Sequence, residues 1–95
     1  EYAERVRAMV PAALSKRFIF TGPGQGRDVL LGRSIVVIPS DFEALNLTAY
    51  EAQAVGSVLV LNGKCPAFAA GSPFRDGQNA HLFDGTIDGL AAVLE

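Results

Sequence analysis

Apolar positions recur along this chain in distinct rhythms, and each rhythm predicts a different element. Over residues 2–14, Val6, Met9, Val10, Ala13 and Leu14 follow the i, i+3, i+4 spacing of an amphipathic helix. Pro11 falls inside that stretch and is expected to kink or shorten it, because proline lacks an N–H and crowds the preceding turn. Arg17-Phe18-Ile19-Phe20-Thr21 reads as a strand ended by Gly22-Pro23-Gly24, and a short helix is expected from Arg27 to Gly32. Ile35-Val36-Val37-Ile38 has no polar alternation, which predicts a parallel strand covered on both faces. Thr48–Val55 reads as a helix, with Gly56 placed for the left-handed turn that closes it. Val58-Leu59-Val60-Leu61 is a second β-run, ended by Asn62-Gly63. Residues 62–80, with Pro66, Gly71, Pro73 and Gly77, read as loop. A short strand at His81-Leu82-Phe83 precedes a helix over Thr86–Glu95, where Ile87, Leu90, Ala91 and Leu94 recur at helical spacing and Thr86 is the cap.

Helices alternating with strands in this way predict an α/β fold, a Rossmann-like parallel sheet with flanking helices. No internal repeat or low-complexity segment is present. The 95 residues form a single domain, and a partial one is expected. Residues 49% hydrophobic and 19% charged are rich in apolar side chains for so short a chain, so some should meet another domain or further strands. The start at Glu1 and the end inside an apolar-periodic stretch point to the same expectation. A formal charge of −2 argues against a nucleic-acid partner. No apolar run is long enough for a transmembrane segment, and the first residues do not resemble a signal peptide. Cys65 is the sole cysteine, so no internal disulfide forms.

Ligands of open parallel sheets bind beyond the carboxyl ends of the strands. There the chain runs Pro39-Ser40-Asp41-Phe42-Glu43-Ala44-Leu45-Asn46-Leu47-Thr48-Ala49-Tyr50-Glu51-Ala52. Glu43 falls in the loop and Glu51 at the start of the next helix, where the bare amides of Asn46, Leu47 and Thr48 suit a diphosphate. A plainer account competes with this one. Ser40-x-x-Glu43 and Thr48-x-x-Glu51 both match a capping box, in which the glutamate only satisfies backbone donors.

From Phe18 to Phe83 the chain resembles the C-terminal domain of retaining GT-B glycosyltransferases. The residues that carry the resemblance are Phe20-Thr21-Gly22, Ile38-Pro39-Ser40, Phe42-Glu43, Leu47, Glu51-Ala52, Ala54, Gly56 and Asp76-Gly77-x-Asn79. The Pro-Ser-x-x-Glu-x7-Glu-Ala pattern is the most specific of them. The resemblance covers most of this chain and about half of the family's C-terminal domain. It implies transfer of a sugar from a UDP-, GDP- or ADP-sugar donor to an acceptor, with retention and without a metal or other cofactor. It implies a catalytic role for Glu43 beside the donor sugar, and ribose binding for Glu51. Backbone amides of Leu45, Asn46, Leu47 and Thr48 would hold the diphosphate, and Gly22 and Gly24 would lie near the nucleobase. The partners implied are the nucleotide-sugar donor, an unidentified acceptor and an N-terminal GT-B domain outside this chain. The implied location is cytoplasmic or peripheral at the inner membrane face.

Leu45 and Asn46 stand where the family usually has an aromatic residue and a glycine, and Asn62-Gly63-Lys64-Cys65 replaces its glycine pair. No counterpart of the family's cationic Arg/Lys element is recognisable in residues 1–17. These departures leave room for a non-catalytic nucleotide-sugar-binding or structural subunit. A third reading, dinucleotide binding, rests on Gly22-x-Gly24-x-Gly26 and Asp41, but Arg27 stands where the third glycine belongs. His81 and Cys65 are read as structural, and Lys64 as a solvated loop residue. No metal-ligand spacing is present.

Overall fold

A computed structural model describes residues 2–20 and 35–95. Helix α1 spans Tyr2–Ala8, and a 3-10 helix follows at Ala12–Arg17. The expected helix over 2–14 is thus divided at Pro11, whose φ of −58° and ψ of 139° lie outside the helical basin. The expected strand Arg17–Thr21 does not form over its described residues. Arg17 ends the 3-10 helix, and Phe18-Ile19-Phe20 lie outside any strand although Phe18 is extended. An extended segment becomes a strand only when a neighbouring strand takes up its N–H and C=O groups; the Phe18 N–H instead donates to the Ser15 carbonyl, and no described strand pairs with Phe18-Ile19-Phe20. Thr21, the turn at 22–24 and the helix expected at 27–32 lie outside the described residues.

The remainder follows the predicted alternation. Strand β1 is Ile35–Ile38, helix α2 is Leu47–Ala54, β2 is Val58–Asn62, β3 is His81–Phe83 and α3 is Ile87–Leu94. The strands form one sheet in the order β1-β2-β3, parallel throughout. Gly56 takes the left-handed turn after α2, with φ of +81°.

Register sorts the side chains into two faces. Val36 and Ile38 lie beside Leu59 and Leu61, and Leu61 pairs with Leu82. This face meets Ala49 and Ala52 of α2, which are fully buried and small enough to bring the helix backbone close. Cys65, Phe68 and Phe74 complete the core from the segment read as loop, which is therefore structural as well as connecting. Phe68 meets Phe74 edge-on at 5.3 Å, and Tyr50 of α2 lies 5.3 Å from Phe74 on a tilt.

The opposite face is covered only in part among the described residues. Val60 and Phe83 are buried there, and α3 packs beside β3. Ile35, Val37 and Val58 stay exposed. Burial of β1 on both faces, expected from its unbroken apolar run, is thus corrected: within the described sheet β1 is an edge strand with one face open.

Candidate functional site

The carboxyl end of β1 leads into the segment that carries Glu43 and Glu51, and that of β2 into Asn62-Gly63-Lys64-Cys65. After Ile38 the chain turns through Pro39–Asn46 before entering α2. Glu43 is half-buried in this loop, and its Oε1 accepts a 3.0 Å hydrogen bond from the Ser40 hydroxyl. No helix begins at Ser40, so this contact is not a capping box. It links two side chains and leaves the other Glu43 carboxylate oxygen without a hydrogen bond among the described residues.

The second capping box does not form either. Asn46 is the cap of α2, and its side-chain oxygen accepts from the Ala49 N–H at 2.9 Å. That choice moves the helix start one residue ahead of the expected Thr48, leaving Thr48 inside the first turn. Leu47 and Thr48 keep N–H groups that have no acceptor within the helix. Glu51 is exposed on the second turn, and its carboxylate takes no hydrogen bond among the described residues. Phe42, Leu45 and Leu47 are exposed around Glu43 in sequence. Gly22 and Gly24 lie outside the described residues.

Further groups meet at this end of the sheet. Asn62, the last residue of β2, is only 2% exposed. Its amide nitrogen donates to the Ser40 carbonyl at 3.2 Å and to Asp41 Oδ1 at 3.3 Å, and its oxygen accepts from the Lys64 N–H at 2.9 Å. Past β3, Asp84 Oδ1 accepts from both the hydroxyl and the N–H of Thr86, at 2.6 and 3.0 Å. These bonds, the Thr86 hydroxyl first, hold the Asp84 carboxyl below its ordinary pKa, with a smaller contribution from the Lys64 charge. Thr86 in turn accepts from the Gly89 N–H at 2.9 Å and so caps α3 as expected. In the sequence Asn62 is legible only as the residue that ends a β-run, and Asp84 carries no signal beyond a polar residue standing directly after a strand.

A cleft of about 330 Å³ opens at the opposite, amino end of β2 and β3, lined in part by Gln53, Ser57, Gln78 and His81. It does not coincide with Glu43. The strand-end loops are the better candidate, because they combine free helix amides with carboxylates, whereas the cleft's one titratable side chain is His81. Cys65 is a buried free thiol and His81 is exposed at the start of β3. Among the described residues, no group of three or more His, Cys, Asp or Glu is placed to hold a metal ion. No described helix is long and apolar enough to cross a membrane. Comparison with protein-family models, with curated proteins and with solved structures gives no match for this chain.

Proposed function

We propose that this chain supplies the donor-binding part of a retaining glycosyltransferase and binds a nucleoside diphosphate sugar at the carboxyl end of its sheet. The supporting observation is Glu43: a half-buried carboxylate, steadied by Ser40, in the loop that leads from β1 to the capped start of α2. A carboxylate held in this way accepts hydrogen bonds from sugar hydroxyls. The amides of Leu47 and Thr48 offset charge that grows on the leaving diphosphate, aided by the helix dipole. Glu51, one turn further along α2, accepts from the ribose hydroxyls. The chemistry is positioning and charge stabilisation, and the acceptor is brought by a domain outside this chain.

Calorimetry with UDP, GDP, ADP and NAD tests the reading directly. A diphosphate nucleotide is expected to bind more tightly than NAD, and Glu51→Ala to weaken it. Preference for NAD would favour the dinucleotide reading, whose glycines at 22, 24 and 26 lie outside the described residues. In the enzyme that contains this chain, Glu43→Ala is expected to lower turnover by about 100-fold or more without unfolding it. One observation favours the second reading, a non-catalytic nucleotide-sugar-binding or structural subunit. Asn46 spends its side chain on the Ala49 amide, so one helix-start donor is closed to a ligand. Indifference of turnover to Glu43→Ala would establish that reading instead.

A further inference from the structure

The most buried polar side chain among the described residues is Asn62, and every one of its side-chain bonds reaches a strand-end loop. Its amide group spans from β2 to the end of β1, holding a carbonyl and a carboxylate of consecutive residues, Ser40 and Asp41. The Ser40 hydroxyl then donates to Glu43. Glu43 is therefore two hydrogen-bonded links from a side chain fixed in the sheet. The far side of Asn62 is closed by Gly85, where a Cβ would lie 3.1 Å from Asn62 Oδ1 and 3.3 Å from Lys64 Cγ. Gly63 continues the clamp by donating its N–H to the Phe83 carbonyl at 2.8 Å. All three strand ends are thus joined through one residue pair.

We infer that Asn62 is a positioning residue that fixes Glu43 at the carboxyl end of the sheet, acting through the Ser40 carbonyl and the Asp41 carboxylate. Its value for donor recognition rests on the sugar-transfer reading; the positioning itself does not. Only an amide fits the position. Its nitrogen must donate to a carbonyl and a carboxylate while its oxygen accepts from Lys64, a combination that neither leucine nor an ionised aspartate supplies. Without the amide, the Ser40 carbonyl and the Lys64 N–H lose their partners at a part-buried strand end, and the loop is released.

Asn62→Asp separates positioning from bulk stability, because it keeps the shape and turns the donor into a second carboxylate facing Asp41. The charged groups around this pair are Glu43 by way of Ser40, and Lys64 with Asp84 from the neighbouring strand ends. Two carboxylates sharing one site raise the affinity for a proton, and protonation of the introduced carboxylate restores a donor. In the 95-residue chain, NMR amide signals of Ser40, Asp41 and Glu43 are expected to shift in Asn62→Asp at about pH 7.5. They should return toward wild-type positions near pH ~5, while the core methyls of Leu59 and Leu61 stay in place. Unmoved loop amides, or a shift that acidification does not reverse, would overturn the inference. Should Asn62→Asp lose its core signals, Gly85→Ala carries the test by pressing on Asn62 from the other side. It is expected to move the same three amides, and their indifference would equally defeat the inference. Asn46→Ala, a strain-free loss of stability away from Asn62, is the control that should leave the Ser40 and Asp41 amides in place. Calorimetry with UDP and GDP is the separate arm, with affinity about tenfold weaker in Asn62→Asp at neutral pH. If the wild-type chain binds neither nucleotide, the sugar-transfer reading falls, while the positioning role stands or falls on the loop amides alone.

Discussion

Residues 2–20 and residues 35–95 are both rich in apolar side chains, yet they settle into opposite states. In the first region Tyr2, Met9 and Ile19 are at least 75% exposed and neither helical segment buries a residue. In the second, Leu59, Leu61 and Phe68 are fully buried. Hydrophobic spacing creates a face in both. Only the second region provides, among the described residues, something for its face to meet. A helix of seven residues is too short to persist on propensity, and without a packed partner it gains little from its apolar stripe. The contact of Arg7 over the Phe20 ring, 5.3 Å from its centre, ties α1 to the segment beyond the 3-10 helix, but an exposed cation–π pair is weak.

Truncating one apolar residue in each region tests this difference most directly. Phe68→Ala removes a fully buried ring and is expected to cost about 3–5 kcal/mol in urea unfolding, enough to threaten so small a fold. Ile19→Ala, at 85% exposure, should change stability by no more than about 0.5 kcal/mol. Equal costs would show that residues 2–20 are packed after all.

Local backbone effects sharpen the picture within the packed region. Gly56→Ala meets no atom within 4 Å, so its cost comes from the φ of +81° alone, about 1–2 kcal/mol in thermal unfolding. Asn46→Ala removes the α2 cap and is expected to cost about 1 kcal/mol, a loss that Asn46→Asp or Asn46→Ser largely restores. The smallest expected effect belongs to Asp84. Its folded pKa is depressed below the ordinary 3.8, so its contribution is present above that value and fades as pH falls through the folded value. Asp84→Asn should flatten that acid limb of a stability profile slightly and lower stability near neutral pH by a matching small amount, since the site is fully exposed. An unchanged acid limb would mean that the Thr86 bonds do not hold in solution.

Legibility differed sharply between elements. Both unbroken β-runs, the helix between them and the Thr86 cap were readable, because strand formers without polar alternation and hydroxyl caps are local signals. Phe18-Ile19-Phe20 carries the same local signal as Ile35–Ile38 but pairs with no described strand, and propensity contains no information about a neighbour. The choice of Asn46 over Thr48 as cap was also hidden. Either residue can cap, and in the fold Asn46 is held at the buried edge of the core where its side chain meets the Ala49 N–H. At the candidate site, spacing drew attention to Glu43 and Glu51 but suited a capping box as well as a ligand site, and only the resemblance favoured the second. The role of Asn62 was hidden, because it depends on contacts 21 and 22 residues away in the chain.

What the amino-acid sequence determined by itself is the period of each segment, the turns at Pro11 and Gly56, and the residue types gathered at the strand ends. Those properties follow from torsional preference and side-chain chemistry within a few residues. Folding in three dimensions settles which apolar faces are covered, that β1 stands at an edge of the described sheet, and that Glu43 bonds to Ser40 instead of capping a helix. Burial and hydrogen-bond choice are settled by competition among distant groups for the same space, and that competition exists only once the chain has folded.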